Sequence, residues 1–133
     1  MSEYITDTHS LLWYIFESPR LSKKAASLFK ETDAGKMRIY IPGIVLVEIV
    51  YLMEKSKIPQ EAINHVMNLL DLPTTNYRLT QITTATVRAL QSLPRQSIPD
   101  MPDRIIAATA LELDLPLITR DEKITAANVK VIW

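Results

Sequence analysis

Five carboxylates in this chain stand where side chains can do chemistry: Asp7, Glu48, Asp100, Asp103 and Asp121. Asp7 ends the short β-prone run Tyr4-Ile5-Thr6, and Asp121 follows a second one, Leu117-Ile118-Thr119. Pro99 and Pro102 bracket Asp100 and set φ where a helix begins, which puts Asp103 in a first helical turn. Glu48 is embedded among Val45, Leu46, Val47, Ile49 and Val50, and a lone buried carboxylate is costly unless paired or metal-bound. Carboxylates gathered within a few ångströms raise one another's proton affinity, so they ionise together only around a cation. With no Cys in the chain the donors are oxygens, which favours Mg2+ or Mn2+. One or two such ions would activate water for in-line attack on a phosphodiester. Each acid also has a local alternative. Asp7 and Asp121 can be helix N-caps, Asp100 and Asp103 can form a capping-box-like pair or complement a helix dipole, and Glu48 can belong to a surface stripe.

The elements that must position these acids alternate between strand and helix. After the strand ending at Asp7, Asp7-Thr8 caps a helix with Leu11, Leu12, Ile15 and Phe16 inward, broken by Pro19. Ser22 caps a second helix from Lys23 to about Thr32, with Gly35 just beyond it. Arg38 to Ile41 reads as a strand. The segment Ile44 to Lys55 is long enough for a helix, and apolar enough to expect burial almost all round. A helix starting at Pro59, a strand from Tyr77 to Ile82 and a helix from Thr83 to Leu93 come next. The helix opened by Pro102 carries Ile105, Ile106, Ala110 and Leu113 at helical spacing and is stopped by Pro116. A turn of helix from Glu122 to Asn128 and a strand at Lys130-Val131-Ile132 close the chain. This alternation implies an α/β fold: one domain over 1–133, with a central parallel sheet flanked by helices on both faces. An acid past a strand end and one at a helix start meet at the carboxyl edge of such a sheet, where these folds bind ligands.

Composition narrows the function. The 133 residues are 47% hydrophobic and 23% charged, as in an ordinary globular domain. Only Gly35 and Gly43 occur, so a phosphate-cradling Gly-rich loop or dinucleotide fingerprint is excluded. Fifteen basic residues balance fifteen acidic ones, so nucleic acid would be handled through a local site, not a general basic surface. No apolar run reaches membrane-spanning length and no signal peptide is recognisable, so no membrane partner is expected. Absence of Cys fits a reducing cytoplasm. A serine hydrolase is disfavoured because no G-x-S-x-G elbow is present.

D-T-H-S-L-L-W at Asp7–Trp13, the apolar segment carrying Glu48, P-D-R-I-I-A-A-T-A at Pro102–Ala110 and L-P-L-I-T-R-D at Leu115–Asp121 together resemble the PIN domain. More narrowly they resemble the VapC-type toxins of toxin–antitoxin pairs, and the resemblance runs along essentially the whole chain. It implies a metal-dependent endoribonuclease using Mg2+ or Mn2+, with RNA as substrate, usually homodimeric and silenced by a VapB-like antitoxin. Carried over position by position, the acidic quartet of catalytic and metal-holding residues falls on Asp7, Glu48, Asp103 and Asp121. Thr119 matches a hydroxyl that supports the metal-site carboxylates, with Thr8 and Asp100 as further supporting residues and Asp100 peripheral. Arg104 and Arg120 are candidate RNA contacts, and Arg20, Lys23, Lys24, Arg95 and Lys123 could line an approach. His9 reads as a partly buried scaffold residue and His65 as surface. Two other classes compete: a catalytically silent PIN-like module that binds RNA or protein, and a receiver-type phosphoacceptor. The second lacks the Lys expected after a late strand.

Overall fold

Every strand expected from the sequence forms, and all lie in one sheet. In the computed structural model, which describes residues 1–133, the order is β1 (Ser2–Thr6), α1 (Thr8–Ile15), α2 (Lys23–Asp33), β2 (Met37–Pro42), α3 (Gly43–Glu54), α4 (Ala62–Asp71), β3 (Tyr77–Thr80), α5 (Thr84–Ser92), α6 (Met101–Leu113), β4 (Leu117–Ile118), α7 (Glu122–Thr125) and β5 (Val131–Ile132). Several boundaries fall short of the sequence expectation. The first helix stops at Ile15, ahead of Pro19, because Glu17 turns to φ 53°, and the last stops before Asn128, which sits at φ 64°. Residues 59–61 make a turn closed by Ala62 N–H on the Pro59 carbonyl and are not helical.

The strands pair in the order β3-β2-β1-β4-β5, and every pairing is parallel. The chain winds outward from β1 to β3, then returns to the other side of β1 with β4. The strand order therefore reverses between β1 and β4, and a crevice opens beyond the carboxyl ends of those strands. Successive strand residues point to opposite faces. Ile5 and Thr6, like Leu117 and Ile118, are all fully buried, so helices cover both faces of the sheet. The core draws Leu11 and Leu12 from α1, Ala25, Leu28 and Phe29 from α2, and Ile106, Ala107, Ala108 and Ala110 from α6.

One expectation is overturned. α3 is not buried all round: Ile44, Val45 and Ile49 face the core, while Val47, Val50 and Tyr51 are 49%, 39% and 59% exposed. The helix packs on β2, α1, α4 and α6, and a single helical layer over a sheet leaves one side of it to solvent. No helix is long and apolar enough to cross a membrane.

Candidate active site at the carboxyl edge of the sheet

Asp7 leaves β1 in extended backbone and caps α1, its Oδ1 accepting from Ser10 N–H at 2.9 Å. Its other oxygen, Oδ2, accepts from the Thr119 hydroxyl at 2.5 Å. Thr119 is fully buried just past β4, and its Oγ1 also accepts from Asp121 N–H at 3.1 Å. One hydroxyl thus fixes the acid after β1 relative to the acid after β4, across the point where strand order reverses. Asp121 caps α7 through Oδ1, which accepts from Lys123 N–H at 2.9 Å. The capping reading and the site reading hold for Asp7 and Asp121 together, because a carboxylate keeps lone pairs beyond the one a cap uses.

Glu48 projects from α3 one turn into the helix. Its Oε1 accepts from Thr8, whose side chain is buried at the start of α1, at 2.5 Å. Burial pushes the Glu48 carboxyl above its ordinary value; the Thr8 hydrogen bond and nearby His9 pull it down, and Asp100 and Asp7 push it up again. Asp103 lies in the first turn of α6, and Asp100 holds the N-cap position without a side-chain capping bond. The capping-box-like pairing open to these two does not form, and the Asp100 carboxylate is left free. Asp103 is the most perturbed acid of the set: burial first, then Asp100, Glu48, Asp121 and Asp7, push its carboxyl from 3.8 to about 7. Asp100 leads those charges and lines the same cleft as the quartet.

A cleft of about 400 Å³ is lined by Asp7, His9, Trp13, Arg20, Glu48, Asp100, Asp103, Arg120 and Asp121. All four quartet residues and Asp100 are brought together in it. Arg104 is not. Its Nη2 donates to the carbonyls of Leu90 and Leu93, at 3.1 and 3.0 Å, at the end of α5. A cation there complements the helix dipole, and Arg104 is not among the residues lining the cleft. Arg120 does line the cleft, and so does Arg20. His9 is exposed on the cleft wall, not partly buried scaffold, and Trp13 is an unexpected lining residue. The sequence signal for both was their i, i+4 spacing on the helix that Asp7 caps, a face that only the tertiary fold turns toward the acids. His65 is exposed, as expected.

The donor chemistry of the cleft fits a hard divalent cation: five carboxylates, no thiolate, and no ion pair from any basic side chain to any of the five. No three of them are gathered tightly enough to hold an ion as they stand. Burial and the neighbouring carboxylates push Asp103 upward, and burial does the same for Glu48, the direction that a bound cation would oppose.

This fold and cleft define a class. The PIN domain model matches residues 4–130, and the chain belongs to the PIN domain family. Among its relatives, Ribonuclease VapC22 of Mycobacterium tuberculosis is 29% identical over 124 residues, 93% of this chain and 91% of that protein. Solved structures share the fold, among them two that match over nearly the whole chain. VapBC2 from Rickettsia felis, bound to a DNA fragment from its promoter, matches with TM-score 0.73 at 18% identity, covering 98% of this chain and 97% of that one. DNA-bound VapBC from Salmonella typhimurium matches with TM-score 0.69 at 21% identity, covering 99% and 98%.

Proposed function

We propose that this chain is a metal-dependent endoribonuclease of the VapC kind, the toxin of a toxin–antitoxin pair, with Asp7, Glu48, Asp103 and Asp121 as its catalytic and metal-holding residues. The observation that carries the reading is the convergence of these four acids, with Asp100, in one cleft at the point of strand-order reversal of a PIN fold. The likeness to Ribonuclease VapC22 supports RNA as the substrate class. VapBC assemblies are among its solved neighbours, which supports a VapB-like antitoxin as partner. A homodimer working in the cytoplasm completes the proposal, and sedimentation at micromolar concentration tests the dimer.

When bound, Mg2+ or Mn2+ would neutralise phosphate charge and acidify a water for attack on the phosphodiester. The protein's own contribution is the preorganised acid set. Asp7 is held at both oxygens by Ser10 N–H and Thr119, and Glu48 is oriented by Thr8. Asp103 must release its proton for the set to hold a cation, so cation binding and proton release are linked near neutral pH. Incubation of the purified protein with RNA, with and without chelator, tests the assignment. Cleavage in Mg2+ or Mn2+ that stops in saturating chelator and returns on metal addition is expected. Cleavage that continues in chelator, or that is undiminished in Asp103→Asn, refutes it.

A further inference from the structure

The cleft is not lined by acid alone, and its two arginines behave unexpectedly. Arg20 and Arg120 share it with five carboxylates, yet neither forms an ion pair with any of them. The ion pairs of the chain are Lys36–Glu31, Arg38–Glu3 and Lys130–Asp114, all elsewhere. A guanidinium beside carboxylates ordinarily closes onto one in a forked, two-bond contact. Arg120 instead lies over the indole of Trp13, its central carbon 4.7 Å from the ring centroid. That ring is itself fixed. It is half-buried on α1, meets Trp133 edge to face at 5.9 Å and 64°, and lies tilted against His9 at 5.8 Å.

A cation over an aromatic face is held through the ring quadrupole, which leaves the in-plane N–H donors of the guanidinium unused. Those donors match a phosphate. Had Arg120 closed onto Asp7 or Asp121, it would have occupied a carboxylate of the cluster and spent its donors. Resting on the acid-lined cleft of the ribonuclease reading above, we propose that Trp13 is a positioning residue that holds Arg120 at the rim. Arg120 and Arg20 together then clamp the phosphate backbone of a single-stranded RNA beside the acids. The clamp offsets the repulsion that an acidic cleft exerts on a polyanion.

The test is steady-state cleavage of a short single-stranded RNA in Mg2+ across a range of salt, with binding of the same RNA by anisotropy in an Asp103→Asn background. Arg120→Ala and Arg20→Ala should each raise KM about tenfold, as expected for loss of one charged hydrogen-bonding contact. The loss should fall on KM more than on kcat. Each should also flatten the dependence of log KM on log salt by about 0.7, the share of one phosphate contact on a single strand. Trp13→Leu removes no charge but should reproduce the Arg120→Ala rise in KM, while Trp13→Phe, which keeps a ring face, should retain most of the wild-type KM. The Trp13→Leu/Arg120→Ala double should be no weaker than either single. Should Trp13→Leu fail to fold, Trp13→Phe against Arg120→Ala carries the same comparison. Unchanged KM and salt slope in Arg120→Ala, or additive losses in the double, overturn the clamp while leaving the ribonuclease reading intact. A wild-type protein that neither cleaves nor binds RNA with any divalent cation overturns that reading, and the clamp with it.

Discussion

At Asp33 the carboxylate is met by donors. Tyr14 donates to Oδ2, and the Tyr77 hydroxyl lies 3.0 Å from Oδ1 and 3.3 Å from the Phe29 carbonyl. Burial, then the contact with Asp33, raises both phenols well above their ordinary range, so they stay protonated as donors. At the carboxyl edge of the sheet the same residue type is met by more of its own kind. Asp103 has Asp100, Glu48, Asp121 and Asp7 as its charged neighbours and is pushed to about 7. The first cluster is complete within the chain and ties α1, α2 and β3 together. The second is the set that the proposed function assigns to a divalent cation. The two carboxylates differ in both burial and company: Asp33 is exposed and met by neutral hydroxyl donors, whereas Asp103 is partly buried among other carboxylates.

The comparison breaks most visibly through activity. Asp7→Asn, Glu48→Gln, Asp103→Asn and Asp121→Asn are each expected to reduce RNA cleavage by roughly a hundredfold or more, the scale of removing one electrostatic stabiliser from a preorganised site. Double substitutions should be little worse than singles, because the acids act as one unit. Single-turnover cleavage with circular dichroism as a fold control checks this. A somewhat smaller effect is expected from Thr119→Val, which keeps the shape but removes the hydroxyl that joins Asp7 to the Asp121 backbone. Loss of such a supporting hydrogen bond should weaken Mn2+ binding by about 10- to 100-fold, measured by titration.

Stability should respond to pH in a way that only the open cluster can produce. Folded, Asp103 keeps its proton up to about 7; unfolded, it releases it near 3.8. Between those values the folded chain binds more protons than the unfolded one, so in chelator stability should fall as pH rises from about 4 to about 7. Asp103→Asn should flatten that slope and melt higher than wild type at pH 7.5 in chelator. Glu48→Gln should do so by less, because its upward push is partly cancelled by Thr8 and His9. Added Mn2+ should restore the advantage to wild type by mass action. Calorimetry at pH 5 and 7.5, with and without metal, reads all of this. At the closed cluster, Tyr77→Phe should cost only about 1 kcal/mol, the worth of an ordinary hydrogen bond, and leave cleavage at the wild-type rate.

Much of this was legible in the chain because it depends on local signals. Asp7 and Asp121 were placed by the β-prone runs before them, Asp103 by the prolines that open α6, and the parallel sheet by the alternation of strands and helices. Glu48 was singled out by its apolar surroundings, although those surroundings proved to be half solvent-facing. The neighbours in sequence could not tell which side of α3 turns to the sheet. Arg104 lies outside the cleft for a related reason: adjacency to Asp103 along a helix puts it about 100° around the axis, and there it meets the end of α5. Trp13 as a lining residue was not legible, since its place depends on packing between elements distant in sequence, whereas Arg20, one of the cations expected along an RNA approach, does line the cleft.

The most direct test of the central proposal, that these acids hold a divalent cation, is a calorimetric titration of Mn2+ into wild type and Asp103→Asn at pH 7 in two buffers of different ionisation enthalpy. Saturable binding to wild type with a buffer-dependent heat that reports proton release, and binding at least about tenfold weaker without that release in Asp103→Asn, is the expected result. Equal affinity and equal heats in the two proteins would contradict it.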